Sequence, residues 1–188
     1  MTLRVLIVCT ANVCRSPMAE GLLRRQCEQL AVDISISSAG THVPGLPVDP
    51  LAVVAVGELG VDISAHRSRQ LTRTVIDADG ADLVLTMTRE QLRHAATSTQ
   101  GAFRRTFTLR EFSRWAAQQP PEPGDTLGSW LDLVATTRHA RDLMGDDPAD
   151  DVADAYGLSL EAHRRCADIL DRLAGTVARS LAVFSPVR

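Results

Sequence analysis

Apolar and polar positions follow two periods along the 188-residue chain, and the change from one period to the other marks its elements. Leu3 to Val8 is a nearly unbroken apolar run, the pattern of a central parallel strand covered on both faces. From Pro17 to Leu30 the apolar residues Met18, Leu22, Leu23 and Leu30 recur at helical spacing. Arg24, Arg25, Glu28 and Gln29 lie opposite, which predicts an amphipathic helix packed on a sheet. Asp33 to Ser37 alternates polar and apolar residues and predicts a shorter strand at the sheet edge, ended by Ser38-Ala39-Gly40-Thr41. Pro50 to Leu59 is helical again and stops at Gly60, placed as a C-terminal cap. Leu83-Val84-Leu85 predicts a third strand and Thr88 to Ala96 a helix. Thr106 to Leu109 reads as a fourth strand, followed by helices over Glu111 to Ala117, Trp130 to Leu143 and Leu158 to Val183. The Pro- and Gly-rich stretches His42 to Asp49 and Gln118 to Gly128 read as loops. Strands separated by helices imply an α/β fold: a doubly wound, four-stranded parallel sheet with helices on both faces, flavodoxin-like. Its ligand site lies at the carboxyl ends of the strands.

The first strand and first helix are joined by Cys9-Thr10-Ala11-Asn12-Val13-Cys14-Arg15, followed by Ser16-Pro17. A loop of this length can fold back so that successive backbone N–H groups point at one centre, where they bind an oxyanion. A helix starting near Ser16 or Pro17 adds its unsatisfied N–H groups and the positive end of its dipole, and Pro suits a first turn because its missing donor is not needed there. Arg15 offers a planar fork matched to two phosphate oxygens. The same positive field favours the thiolate of Cys9, a nucleophile beside bound phosphate. The competing reading of Cys9 is a buried cysteine that merely ends a strand. The placement of C-x5-R between a strand and a Ser-Pro helix start favours the site.

A net charge of −3 gives no sign of a nucleic-acid partner. The N-terminal apolar run is too short for a signal peptide or a membrane span, so the expectation is a cytoplasmic protein without membrane insertion. Cys9, Cys14, Cys27 and Cys166 do not make a disulfide framework, and no second Cys or His pair has the spacing of a zinc site. Residues 1–188 are expected to form one domain, with a surface excursion inserted at about 118–150. Six aspartates between Asp142 and Asp154 read mostly as a solvated loop.

The stretch VCTANVCRSPMAEGLLR resembles the phosphate loop and first helix of the low-molecular-weight protein tyrosine phosphatases, whose pattern is V-C-x-G-N-x-C-R-S-P. Further segments resemble the family in the same order. Ser37 to Thr41 is similar to its S-A-G-T segment, Ser64 to Leu71 to S-x-H-x-x-R-Q, Ala81 to Leu92 to its M-D-E-x-N-L turn, and Asp151 to Gly157 to D-I-x-D-P-Y-x-G. The resemblance implies a phosphomonoester hydrolase without metal or cofactor. Cys9 forms a cysteinyl-phosphate, Arg15 and the loop amides of Thr10, Ala11, Asn12, Val13 and Cys14 bind the phosphoryl group, and Asp154 is general acid and base. It also implies that Asn12, Ser16, Ser38 and His66 hold the loop in shape, with Ser16 placed to bond Cys9. Cys14 matches the second loop cysteine, with which the nucleophile can form a reversible disulfide; packing alone is the other reading of it. Asp146, Asp147, Asp150 and Asp151 compete with Asp154, since Asp147-Pro148 is itself an Asp-Pro pair, but Tyr156-Gly157 and the helix that follows favour Asp154.

Four departures from the family pattern bear on function. Ala11 replaces a Gly and is expected to be strained if its φ is positive. Ala155 replaces the Pro after the general acid and is expected to loosen that loop, and Thr88 replaces an Asp. The segment Thr41 to Gly45 lacks the aromatic that walls the pocket, leaving His42 or Tyr156 to stack on a substrate ring. The apolar Val13 leans towards phosphotyrosine, because arginine phosphatases similar to this family tend to carry a polar residue there. An arsenate reductase needs shuttle cysteines, and none lies between Cys27 and Cys166. A catalytically weak phosphate-binding module is the remaining alternative. The expected substrate is a phosphotyrosine-containing protein or peptide.

Overall fold

The computed structural model describes residues 2–42, 45–77, 80–138 and 148–184. Its elements in order are β1 (Leu3–Cys9), α1 (Arg15–Gln29), β2 (Ile34–Gly40), α2 (Pro50–Gly57), α3 (Arg73–Asp77), β3 (Leu83–Thr86) and α4 (Arg89–Ser98). They continue with α5 (Ala102–Arg105), β4 (Thr106–Thr108), α6 (Leu109–Gln118), α7 (Leu127–Thr137), a single 3-10 turn at Pro148–Asp150, and α8 (Leu160–Phe184). The strands form one parallel sheet in the order β2-β1-β3-β4. This is the doubly wound, flavodoxin-like architecture, with β2 at an edge as its alternating pattern predicts.

Alternation along β1 divides the core in two. Val5, Ile7 and Cys9 face a large cluster with Met18 and Leu22 of α1, Phe112 of α6, Trp130 of α7 and Leu170 of α8. Leu6 and Val8 face a smaller one with Ile76 of α3 and Ala95 of α4. The chain leaves β1 at the carboxyl edge of the sheet, with β2 on one side and β3 on the other, and turns into α1 there. That is where connections diverge to opposite faces and leave a crevice.

Several boundaries move for identifiable reasons. β2 runs on through Gly40, because its pairing with β1 continues from Leu3–Ile34 to Cys9–Gly40 and draws the Ser-Ala-Gly segment into the sheet. α6 begins at Leu109 and α7 at Leu127, each behind a threonine cap: Thr108 Oγ1 accepts from Glu111 N at 3.0 Å and Thr126 Oγ1 from Ser129 N at 3.1 Å. The helix expected over Trp130 to Leu143 ends at Thr137, and Asp142, Asp146 and Asp147 lie outside the described residues. The short helices α3 and α5 were not expected. Ile76 supplies most of the apolar signal of α3 and Ala102 and Phe103 that of α5, too little for a period to show.

The stretch expected as a surface excursion is packed into the core where it is described. α7 buries Leu127, Trp130, Leu131 and Val134, and Trp130 meets Phe112 edge-on at 5.3 Å between ring centroids. At its end Arg138 is buried. Its guanidinium binds both carboxylate oxygens of buried Glu111 (2.8 and 3.1 Å) and the carbonyls of Phe103 and Thr106, and lies over the rings of Phe103 and Phe107. A buried pair of this kind is costly to break from one side, about 3–5 kcal/mol.

Candidate active site

The loop from Cys9 to Arg15 is shaped by where its carbonyls go. Cys9 O accepts from Thr41 N (3.1 Å), Thr10 O from His42 N (2.9 Å), Val13 O from Asp49 N (2.8 Å) and Cys14 O from Met18 N (3.1 Å), while Asn12 O meets His66 Nε2 at 2.9 Å. In a planar trans peptide the N–H points opposite the preceding carbonyl. The amides of Thr10, Ala11, Val13, Cys14 and Arg15 therefore face away from these partners, towards the cavity that the loop encloses. Helix α1 opens directly on that cavity, with no side-chain cap and no acidic residue in its first turn, so its orphan amides and dipole favour an anion there.

Asn12 is the keystone of the turn. It is fully buried and left-handed (φ 54°), a conformation that Asn tolerates better than most residues. Its Nδ2 donates to Ser16 Oγ (2.9 Å) and Ser38 Oγ (2.8 Å), its Oδ1 accepts from Arg69 N (2.9 Å), and its own N–H reaches Cys9 Sγ at 3.2 Å. Ser16 Oγ completes a second contact to Cys9 Sγ at 2.9 Å. Both groups are placed to stabilise a thiolate. Ser38 in turn donates to Glu20 at 2.6 Å, and Arg69 Nε to Ser38 O at 2.7 Å.

The far wall comes from the C-terminal third of the chain. Cys9, Thr10, Ala11, Val13, Cys14 and Arg15 line a cavity of about 230 Å3 together with Asp154 and Tyr156. Arg15 is buried and bridges the two walls: Nη1 donates to Val152 O (3.1 Å) and Nη2 pairs with Asp154 Oδ2 (2.5 Å). A thiol at the amino end of a helix, a buried arginine fork and a half-exposed carboxylate thus converge on one cavity.

The sequence profile of the low molecular weight phosphotyrosine protein phosphatases matches residues 4–126. The chain belongs to this family. It is 38% identical over 117 residues to the probable low molecular weight protein-tyrosine-phosphatase EpsP of Ralstonia solanacearum, covering 62% of this chain and 77% of that one. It is 31% identical over 182 residues to a protein-arginine-phosphatase of Geobacillus stearothermophilus, covering 96% and 97%. Among solved structures, the low molecular weight protein tyrosine phosphatase of T. tengcongensis superposes with a TM-score of 0.70 at 31% identity, covering 95% of this chain and 99% of that one. As a member of this family the chain is a phosphoric monoester hydrolase of the protein-tyrosine-phosphatase class, acting on phosphoproteins.

In this low-molecular-weight phosphatase Asn12 and Ser16 turn their side chains behind the loop, the supporting place the resemblance implies for them. Other residues stand elsewhere than expected. His42 is exposed, with Nδ1 at 3.1 Å from Thr41 Oγ1, and is absent from the cavity wall that Tyr156 joins. Ala11 is not the strained position, since positive φ among the described non-glycine residues falls on Asn12 and Ala31. Thr88 keeps the function of a cap: its hydroxyl accepts from Gln91 N (3.3 Å) and Gln91 Oε1 accepts from Thr88 N (3.1 Å). Asp150 is fully buried rather than solvated, its carboxylate held by Arg89 and Arg114. Burial pushes Asp150 up, but the hydrogen bonds and charges of the two arginines outweigh it and hold the carboxyl below its ordinary range. Burial raises the Cys14 thiol far above its ordinary value and lifts Cys166 to about 12, so both remain thiols at neutral pH.

Other residues of the phosphatase site went unseen in the sequence. Gln91 Nε2 donates to Thr10 Oγ1 at 2.9 Å and ties the loop to α4. A Cβ on Gly40 would sit 2.7 Å from Thr10 O and 2.9 Å from Asn12 N, so only glycine lets β2 approach the back of the loop. Asp49 both caps α2 and holds Val13 O. The Gly40 position falls within the S-A-G-T segment; Gln91 and Asp49 had no local signal beyond helix caps.

Proposed function

We propose that this phosphatase hydrolyses phosphotyrosine in proteins or peptides by two displacements at Cys9. Cys9 Sγ attacks phosphorus, the bond to the leaving phenolic oxygen breaks, and Asp154 gives that oxygen its proton. The loop amides, the guanidinium of Arg15 and its buried, unpartnered Nε spread charge over the phosphoryl oxygens. Water then attacks phosphorus, Asp154 takes its proton, and the Cys9 thiolate leaves. No metal enters either step. The observation that carries this reading is one cavity wall shared by Cys9 and Arg15 with Asp154 and Tyr156, over a hundred positions later in the chain.

Val13 and Tyr156 support an aryl substrate, since an apolar side chain and the one tyrosine of the chain both line the cavity that would receive a substrate ring. The family kinship that spans 96% of the chain with a protein-arginine-phosphatase favours phosphoarginine as the second reading. Rates on matched phosphotyrosine, phosphoserine and phosphoarginine peptides separate them: the proposal expects turnover of phosphotyrosine at least about tenfold above the others, an increment one apolar contact can supply. A higher rate on phosphoarginine reverses the assignment, and negligible rates on all three favour a phosphate-binding module. We further place the protein in the cytoplasm as one domain including residues 118–150. All four cysteines are free, as a reducing compartment requires, and no helix among the described residues is long and apolar enough to cross a membrane.

A further inference from the structure

Asp150 has no step in the proposed reaction, yet it is the most completely enclosed carboxylate at the site, at 0% exposure. Its oxygens are divided between two helices. Arg114 of α6 binds Oδ1 and reaches Oδ2 at 3.3 Å, and Arg89, the first residue of α4, binds Oδ2. The two residues that follow are tied in turn. Asp151 Oδ1 accepts from Arg89 N at 2.8 Å, Val152 N donates to Met87 O at 2.8 Å, and Val152 O accepts from Arg15 at 3.1 Å. Asp154 comes two residues later, its side chain 46% exposed, and is followed by Ala155, whose φ is not locked by a ring.

We propose that Asp150, clamped by Arg89 and Arg114, is a positioning residue that sets where Asp154 stands over Cys9. The inference rests on Asp154 being the proton donor. A carboxylate with this burial is expensive to desolvate, and replacing such a triad by apolar groups is often neutral or stabilising, so stability alone does not account for it. What the triad supplies is a rigid origin, fixed to the first residue of α4 and the middle of α6, from which three residues, Asp151 and Val152 among them anchored, lead to the acid. Displacements of about 1 Å in a catalytic group cost on the order of 100-fold in rate, so a smaller shift of the acid passed on from the clamp is enough to be read in turnover.

Leaving-group chemistry isolates that action. An activated ester such as 2,4-dinitrophenyl phosphate departs without a proton, whereas phenyl phosphate needs the acid. Asp150→Asn is expected to lower kcat/KM on phenyl phosphate about tenfold, and Arg114→Gln about three- to fivefold, while both stay within about twofold of the parent on the activated ester. Competitive inhibition by inorganic phosphate stays within about twofold in both variants, because Asp150 is bonded to Arg89 and Arg114 and not to residues 9–15. Arg114 is 40% exposed, so its variant tests the clamp even where Asp150→Asn folds poorly. Equal losses on the two esters, or no loss on phenyl phosphate, overturn the proposal. Asp154→Ala is run beside them. A selective loss there with none in the clamp variants leaves the acid assigned and removes the clamp; an unselective Asp154→Ala removes the acid assignment and the clamp with it.

Discussion

Residues 9–15 and the segment 150–156, through its Asp154 and Tyr156, form opposite walls of one cavity, the first fastened mainly by uncharged hydrogen bonds and the second by carboxylates set against arginines. Around the phosphate loop the partners are main-chain amides, Asn12, Ser16, Ser38 and His66, supplied by α1, β2 and the segment before α3. Around the acid segment they are Arg89, Arg114 and Arg15, from three separate elements. The difference follows from what each wall has to do. The loop must keep its own amide dipoles free for an incoming anion, and uncharged bonds to its carbonyls and side chains hold it without occupying them. The acid segment carries negative charge already and needs cations to hold it still. Hydrogen bonds among amides and hydroxyls carry no titrating group, whereas a carboxylate–arginine pair loses its attraction when acid removes the carboxylate's charge.

The largest effect separating the walls is on chemistry. Cys9→Ser is expected to reduce kcat/KM on an aryl phosphate by more than about 1000-fold with the fold intact by circular dichroism, since an alcohol stays un-ionised near neutrality and is far the weaker nucleophile. Ordinary turnover in that variant would move the nucleophile elsewhere.

Next comes stability at the acid wall. Asp150→Asn leaves two arginines facing an uncharged amide and is expected to cost about 2–4 kcal/mol in urea unfolding at neutral pH. The Asp150 carboxyl titrates lower in the folded chain than in the unfolded one, so its contribution is complete above the ordinary carboxyl range and fades as pH falls through the folded value. The gap between parent and variant should therefore narrow on acidification below about pH 4. A gap that is constant down to pH 2 breaks the comparison.

The smallest effect lies within the loop. Asn12→Gly and Asn12→Ala both lose the side-chain bonds, but only alanine also meets the left-handed backbone, so alanine is expected to be less stable by about 1 kcal/mol. Unlike the acid-wall difference, this one should be the same at pH 4 and pH 7 in thermal or urea unfolding.

The phosphate loop was legible because its determinants are neighbours in the chain. An apolar strand, seven loop residues bounded by Cys9 and Arg15, and Ser16-Pro17 at a helix start meet local geometric demands that residue types advertise. The four strands were legible for the same reason: period and apolar run length are local quantities. α3 and α5 were not, being held by one or two buried residues each. Gly40 shows the intermediate case. Its place after Ser38-Ala39 is visible, but the reason for it, the backbone of Thr10 to Asn12 lying against it, belongs to another segment.

The chemistry of the first wall and the sheet that carries it follow from residue order alone: a thiol, an arginine and an amide-lined turn between a buried strand and a helix. The second wall exists only through contacts between distant segments. Which of several aspartates faces Cys9, whether His42 or Tyr156 lines the pocket, and why Asp150 is buried all depend on partners 36 to 139 residues away. The physical reason is one of range. Backbone conformation and burial periodicity are set within a few residues, whereas a charge in the interior is tolerated only where the folded chain brings an opposite charge to it, and no local pattern records that meeting.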